Sequence, residues 1–486
     1  NGVSGLGFPP RWGMVTPEEI ERVDVMYGPF SAAYPGNSAG AVVDYSTRMP
    51  GQFEGSVRVG YSHQPFDLYN THTTYGGWQS SASLGSRAGD WAWRLDFHHS
   101  DSEGQPLTFA NALRSTTAAA PADTVVTGAV AGQNKLGQDW LLLGTGTQYH
   151  TVQDHFKAKL AYDFSATVRA TYTLASWQNT SEGRPGTYLQ GVSGQPVYSG
   201  NVGIDGKRYT LNGGTFPLSN ESLQHTLHGL SVKSRTKGLF DWEVAASRYD
   251  YGKDDKRSNA SSNPLPSATS GGAGTLADGS GTGWNNLALR GTWRPDGLKG
   301  EHVVDFGAQQ DHYKLHYLTS NIAGNWLIDG AGGLASEVGG RTQMQSLYVQ
   351  DAWRLAPRWK TVLGLRAEDW TARNGYVATT STNTNAYASR HETHLSPKAA
   401  LSHQWSPDWL LKASTGRSVR MPTAQETEAV TSLDLEASLR QALLDRTLTF
   451  RRVKLIDSSV NWLASPPEVR LTVQSAESIS PFQAQL

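Results

Sequence analysis

From about residue 53 onward, apolar and polar side chains alternate with period two in one segment after another. Trp91, Trp93, Leu95 and Phe97 fall on one side of an extended chain and Ala92, Arg94, Asp96 and His98 on the other, because successive strand residues face opposite ways. Phe156, Ala158, Leu160 and Tyr162 alternate likewise with Lys157, Lys159, Ala161 and Asp163, and Val168, Ala170, Tyr172 and Leu174 with Arg169, Thr171 and Thr173. The pattern predicts strands near 53–62, 78–86, 91–100, 147–162, 166–178, 221–235, 240–251, 284–294, 301–317, 341–355, 359–371, 392–405 and 409–418. Many exceed the roughly 5–6 residues of an average globular strand and reach the about 9–11 that a tilted strand needs to cross a bilayer.

The connections alternate too. Short turns at 87–90, 163–165, 236–239, 295–297, 356–358 and 406–408 take turns with long polar loops at about 101–146, 179–220, 252–283, 318–340 and 372–391. Up-and-down strands joined this way carry every short turn at one end and every long loop at the other, as outer-membrane barrels do and sandwiches do not. Trp78, Trp91, Trp177, Trp242, Trp284, Trp353, Trp359, Trp370, Trp405 and Trp409 lie near strand ends and are expected to form interfacial girdles. The competing reading, a soluble β protein with these aromatics in its core, does not account for the strand lengths or the loop asymmetry.

Composition narrows the picture further. Lys+Arg 42 against Asp+Glu 43 leaves a net charge of -1, so no basic field exists to attract nucleic acid. With Cys 0, disulfides, zinc–cysteine sites, iron–sulfur clusters and thiol nucleophiles are excluded together. No apolar run is long enough to cross a bilayer as a helix, so a membrane role requires a β-barrel. The chain opens Asn1-Gly2-Val3 with no export signal, so its start is read as processed or missing.

The first 50 residues break the barrel pattern. They contain Ile20-Glu21-Arg22-Val23-Asp24-Val25-Met26-Tyr27-Gly28-Pro29, then Phe30-Ser31-Ala32-Ala33-Tyr34-Pro35-Gly36 and Gly40-Ala41-Val42-Val43-Asp44-Tyr45. This closely resembles the end of the plug domain of TonB-dependent outer-membrane receptors: a strand, a Gly-Pro turn, a Ser/Ala/Tyr segment, a glycine-rich turn and a final apolar strand. Pro35 departs from the glycine that many members carry after the tyrosine. Leu347 to Leu355 with Leu363-Gly364-Leu365-Arg366, and Leu395 to Ala400 with Gly416 to Thr423, resemble the family's barrel and occur in the expected order.

The resemblance spans about 15–423. It implies an all-β fold, a transmembrane antiparallel β-barrel of about 22 strands in the full family architecture. Residues 1–50 would form the C-terminal part of the plug, 51–423 the barrel with long extracellular loops, and 424–486 an atypical tail. The plug motif is carried by Ile20, Glu21, Arg22, Val23, Gly28, Pro29, Ser31, Ala32, Tyr34, Gly36 and Gly40, in structural roles. Gly28-Pro29 and Gly36-Asn37 have turn chemistry, and Val23, Val25, Val42 and Val43 suit buried plug strands. A plug is also a physical need, since so wide a lumen cannot be filled by the barrel's own side chains.

What the resemblance implies about function is a receptor in the outer membrane of a Gram-negative bacterium. It would capture a scarce nutrient, a ferric siderophore first among the candidates, and take it up through the inner-membrane TonB complex. Cobalamin, another metal chelate or an oligosaccharide remain alternatives, and so does a passive porin-like or adhesin-like barrel. The expected partners are the TonB energy-coupling protein, outer-membrane lipid and a small ligand, with no cofactor and no catalytic residues. A secreted β enzyme would need a convergent acid, base or nucleophile set, and none is found.

Several motifs invite chemistry and take blander readings. Gly36-Asn37-Ser38-Ala39-Gly40 matches a nucleophile elbow but lacks its strand-before, helix-after context. His391-Glu392-Thr393-His394 spaces its histidines i, i+3 rather than the i, i+4 of a zinc helix. His98, His99, His312 and His316 read as lumen or loop histidines, and Gly271-Gly272-Ala273-Gly274 as a flexible loop. After Pro422 the barrel pattern stops, and Leu435, Leu439, Ala442 and Leu443 stand at helical spacing. An incomplete barrel with an open edge is therefore expected, at several kcal/mol for each unpaired backbone group in hydrocarbon.

Overall fold

The computed structural model describes residues 13–27, 31–36, 41–380, 383–421 and 470–475. In chain order the strands are β1 (Ile20–Tyr27), β2 (Ala41–Thr47), β3 (Glu54–Leu68), β4 (Thr71–Ala88), β5 (Trp91–Glu103), β6 (Phe109–Leu113), β7 (Thr124–Thr127), β8 (Val130–Gln133), β9 (Asp139–Ser165), β10 (Val168–Thr187), β11 (Gln190–Gly191) and β12 (Gly200–Ile204). They continue as β13 (Lys207–Leu211), β14 (Ser219–Ser234), β15 (Phe240–Asn259), β16 (Gly274–Asp278), β17 (Gly283–Trp293), β18 (His302–Ile322), β19 (Leu334–Ala356), β20 (Trp359–Thr380), β21 (Asn383–Ala386), β22 (Arg390–Ser406), β23 (Trp409–Gly416) and β24 (Arg470–Ser475). The helical elements with described bounds are single 3-10 turns at Pro17–Glu19 and Ser267–Ser270.

Every strand expected from the alternation is present. Most run on past the expected boundary at the end that meets a long connection: 147–162 becomes β9 and 341–355 becomes β19. The stretch between the first two expected strands is itself ladder, since β3 and β4 pair from Glu54↔Gly85 to Leu68↔Thr71. Tyr69 makes that tight turn with φ 54.

The long strands pair antiparallel with their chain neighbours, and the sheet order returns on itself as a closed barrel. The expected open edge is therefore corrected: β24 pairs with β23 from Trp409↔Ser475 to Ser414↔Arg470 and stands between β23 and β3 in the ring. Pairing of this kind removes the orphan N–H and C=O groups that made an open edge costly. Leu435, Leu439, Ala442 and Leu443 lie outside the described residues.

Burial is inverted relative to a water-soluble fold. Val57, Val59, Trp91, Phe97, Leu160, Leu289, Leu347 and Leu363 point outward and are exposed, while Arg94, Asp96, Lys157, Arg366 and Glu368 point inward and are buried. An outer surface of this kind is stable only against hydrocarbon. At the short-turn end Trp91 packs on Tyr162 with ring centroids 4.6 Å apart, and Trp359 stacks on His403 at 4.0 Å, as a girdle requires. Trp177, Trp284 and Trp370 correct that expectation. Their positions have inward parity, so Trp177 and Trp370 are buried against the lumen and Trp284 stacks on Tyr249 there at 4.2 Å.

The long connections are not loose. Short strands β7, β11, β12 and β13 form a sheet of their own outside the ring. Val126, Leu141, Leu189, Val202, Phe216 and Trp326, from four different connections and strand ends, close into one apolar core. Gly271 to Gly274, expected to be flexible, is part of this cap: Gly272 accepts from the Trp326 N–H at 2.9 Å and Gly274 opens β16.

Candidate functional site

The N-terminal segment lies inside the lumen. Its β1 and β2 pair antiparallel from Ile20↔Thr47 to Tyr27↔Ala41. A ribbon of two strands has no second layer to cover it, so Val23, Val25 and Val43 are exposed rather than buried as expected, and Val42 is half-buried. The segment is held by the barrel wall at its two ends, through charged side chains grasping its backbone.

The first grip is on β9. Lys157 Nζ donates to Glu19 Oε2 at 2.6 Å and to the Met14 carbonyl at 2.6 Å. The second Glu19 oxygen accepts from the Thr16 N–H at 2.7 Å, closing the 3-10 turn that Pro17 begins, and the Glu19 carbonyl accepts from Arg48 N–H at 2.8 Å. Lys159 Nζ reaches the Thr47 hydroxyl at 2.8 Å and the Arg48 carbonyl at 3.1 Å, so one wall strand holds both the entry and the exit of the ribbon. His98 stands 3.5 Å from Glu18. Burial pushes the Glu19 carboxyl above its ordinary range, against the opposing pull of the Lys157 ammonium.

The second grip is on β19, β20 and β22. Arg366, fully buried, donates through Nη1 to the carbonyls of Ala32 and Ala33 at 3.2 and 3.3 Å, through Nη2 to Gln309 and Ser346 at 3.1 and 2.5 Å, and through Nε to Glu368 at 3.1 Å. Glu368 Oε1 accepts the Gly36 N–H at 2.9 Å, Gln350 accepts the Ala32 N–H at 2.9 Å, and Lys398 donates to the Ser31 carbonyl at 2.7 Å. Ser418 closes the ring on the Gly36 carbonyl at 3.2 Å. Only glycine fits at position 36, since a Cβ there would lie 1.9 Å from the Val419 carbonyl oxygen.

Beside the first grip the Met14 side chain packs into an aromatic cluster. Trp177, Leu223 and Tyr249 are buried around it. His225, fully buried, bridges the Tyr249 hydroxyl and Asp254 at 2.9 Å each and stacks on Tyr251 at 3.8 Å.

The separate stretches that the sequence singled out thus converge: Ser31, Ala32 and Gly36 from the N-terminal motif meet Gln350, Arg366, Lys398 and Ser418. Ile20 is half-buried and Glu21, Arg22 and Val23 are exposed, Tyr34 is half-buried, and Gly28, Pro29 and Gly40 lie outside the described residues. Sequence reading missed Glu19, Lys157, Lys159 and Glu368. The only signal of the three wall residues among them was inward parity on a polar face, which many lumen residues share. Adjacent His98 and His99 face opposite sides, the latter paired with Asp154 at 2.7 Å. His391 and His394 likewise diverge on β22, bound to Asp369 at 2.6 Å and Glu392 at 3.2 Å. Among the described residues no three His, Cys, Asp or Glu side chains converge on a metal position.

Residues 161–443 match the family model described as TonB dependent receptor-like, beta-barrel. The chain belongs to the TonB-dependent receptor family. Members of this family are transport receptors of the Gram-negative outer membrane, working with TonB and small ligands. No curated protein matches the sequence. Among solved structures, the unliganded ferric citrate transporter FecA is 14% identical with a TM-score of 0.56, covering 86% of this chain and 52% of its own. The copper transporter OprC is 12% identical with a TM-score of 0.51, covering 84% and 52%. These likenesses establish the receptor fold, and the chain spans about half the length of those two relatives.

Proposed function

We propose that this protein is an outer-membrane receptor that takes up a scarce nutrient, a ferric siderophore being the foremost candidate, with energy supplied through TonB. Residues 1–50 are then the last part of a plug, 51–423 the barrel wall with its outer loops, and the motif residues Ile20 to Gly40 the plug's structural signature. One observation carries the reading: a segment inside the lumen is gripped at both ends by buried Lys157 and Arg366. A passive pore has no use for a segment that obstructs it. Apart from the Lys157–Glu19 ion pair, the grips are mostly hydrogen bonds to backbone, which water can replace one by one as the segment shifts. That the solved structures of like fold include a ferric citrate transporter and a copper transporter supports a metal-containing cargo.

The test is uptake of radiolabelled iron from a panel of siderophores by the source bacterium, with this locus deleted and separately with TonB deleted. The reading expects one ligand whose uptake both deletions abolish. Uptake that ignores TonB, together with increased permeability to unrelated small solutes when the locus is expressed, would replace it with a passive barrel.

A further inference from the structure

The strand register brings three cations together on the outer wall. Lys314 on β18 stands opposite Arg341 on β19, and Arg341 stands opposite Arg373 on β20. With strands about 4.8 Å apart, the three backbones lie within roughly 10 Å of one another. All three are exposed, and they share the parity of lipid-facing Phe306, Leu347 and Leu365 on the same strands. Among the described residues none of the three has an ion pair or a hydrogen-bonded side-chain partner. Elsewhere on this wall charges are matched: Arg248 with Asp250 at 2.6 Å and Arg184 with Glu182 at 2.5 Å. Like charges directly opposite in a ladder repel, so an unmatched row of three calls for an anion from outside the chain.

A second feature lies in line with the row, toward the short-turn end. There the outward side chains shrink to Ala308 and Ala367 between Leu287, Leu289 and Leu347, opening a largely apolar groove of about 430 Å³ in the wall. Its upper rim is polar, with Gln310, Gln345, Thr393 and Asp369, whose carboxylate is already taken by His391 at 2.6 Å. From Gln310 to Lys314 the strand climbs about 13 Å, which at a barrel tilt of 35–45° is about 10 Å of depth. Cations above a polar rim above an apolar groove match an amphiphile whose phosphates sit over its acyl chains.

We propose that Lys314, Arg341 and Arg373 with the groove beneath them form a binding site for a phosphorylated, acylated lipid of the outer leaflet. The site rests on the membrane-spanning reading given above. The guanidinium groups take the phosphate oxygens in bidentate fashion and Lys314 adds a point charge. A free phosphate would engage the cations alone. A lipid engages cations and groove together.

The experiment is native mass spectrometry of the detergent-purified protein with three probes: diphosphorylated lipid A, its dephosphorylated form and inorganic phosphate. The site predicts a lipid A adduct that inorganic phosphate at millimolar concentration does not displace. It predicts at least tenfold weaker binding for the Lys314→Gln, Arg341→Gln, Arg373→Gln triple variant, for dephosphorylated lipid on the wild type, and for Ala308→Trp, which fills the groove and keeps the charges. Lipid A bound equally well by the triple variant and the wild type overturns the site, as does displacement by inorganic phosphate. Heat-modifiable gel mobility and membrane partitioning are measured alongside. Their failure in the wild type defeats the membrane reading itself, whereas an intact barrel with unchanged lipid binding defeats only this site. If the triple variant does not fold, the groove variant and the dephosphorylated probe still decide.

Discussion

The outer cap and the lumen grips hold chain segments to the same barrel by opposite means. The cap closes over fully buried apolar side chains such as Leu189, Phe216 and Trp326, whereas the grips bury charges, Glu19, Lys157, Arg366 and Glu368. The difference follows from which face each contact uses. A membrane strand spends its apolar residues on the lipid face, so by alternation the lumen face is polar, and whatever docks there must be held by hydrogen bonds and ion pairs. The cap stands beyond the wall in water, where burying apolar surface is the stronger driving force. An apolar core is lost all at once on separation. A polar contact can be exchanged for water one bond at a time.

The largest way to break this contrast is at Arg366. Arg366→Ala leaves Glu368 buried without its partner and should cost about 3–5 kcal/mol, read by urea unfolding followed by gel mobility. The double change Arg366→Met, Glu368→Leu removes both charges and should recover part of that loss, since the Ala32 and Ala33 carbonyls and the Gly36 N–H still lose their partners; if it is as damaging as the single one, charge burial is not the cause. In the cap, Leu189→Ala should cost about 2–5 kcal/mol, seen as hydrogen exchange that rises across β11 to β13 and leaves the residue 31–36 segment protected. Spread of that effect to the lumen would mean that the two regions are one cooperative unit. Gly36→Ala forces a methyl against the Val419 carbonyl and should cost about 1–3 kcal/mol, with protease cutting of the N-terminal segment as the readout.

Acidification should separate the regions by sign. The Asp123 carboxyl in the cap is held below its ordinary 3.8, first by the Arg208 guanidinium at 2.8 Å and then by the Ala120 N–H. Its stabilisation is present above pH 3.8 and is lost as pH falls through the depressed value. Glu19 has its pKa raised above 4.5, so the folded state takes up the proton first and the cost of burying the ionised carboxyl is relieved as pH falls toward 4.5. Exchange protection corrected for intrinsic rate should therefore rise modestly around residues 14–19 between neutral pH and pH 4.5, and fall around 120–127 only below pH 3.8. Glu19→Gln should abolish the first response and leave the second.

Much of the wall was legible because alternation is a local property. Arg94 and Asp96 opposite Trp91 and Phe97 already state which face is which, and the structure seats them so. The motif Ser31 to Gly36 was legible as a unit, and so were the stretches holding Gln350, Arg366, Lys398 and Ser418, but their meeting was not. Gly36 and Glu368 are 332 residues apart and no pattern in either names the other. Trp177 and Trp370 were misassigned because nearness to a strand end was allowed to outweigh parity. The exposed valines of β1 and β2 were misjudged because β propensity says nothing about whether a covering layer exists.

The sequence by itself determined the strands, the faces they present and the end at which each loop emerges, since side-chain period and turn chemistry act over a few residues. Tertiary structure decided which inward charges meet the N-terminal segment, how polar connections share one apolar core, that Arg470–Ser475 completes the ring, and that three cations distant in the chain stand side by side. Those are matters of strand register and closure. They are fixed only when every ladder is satisfied together, because a shift of one residue in any strand would turn its charges toward lipid.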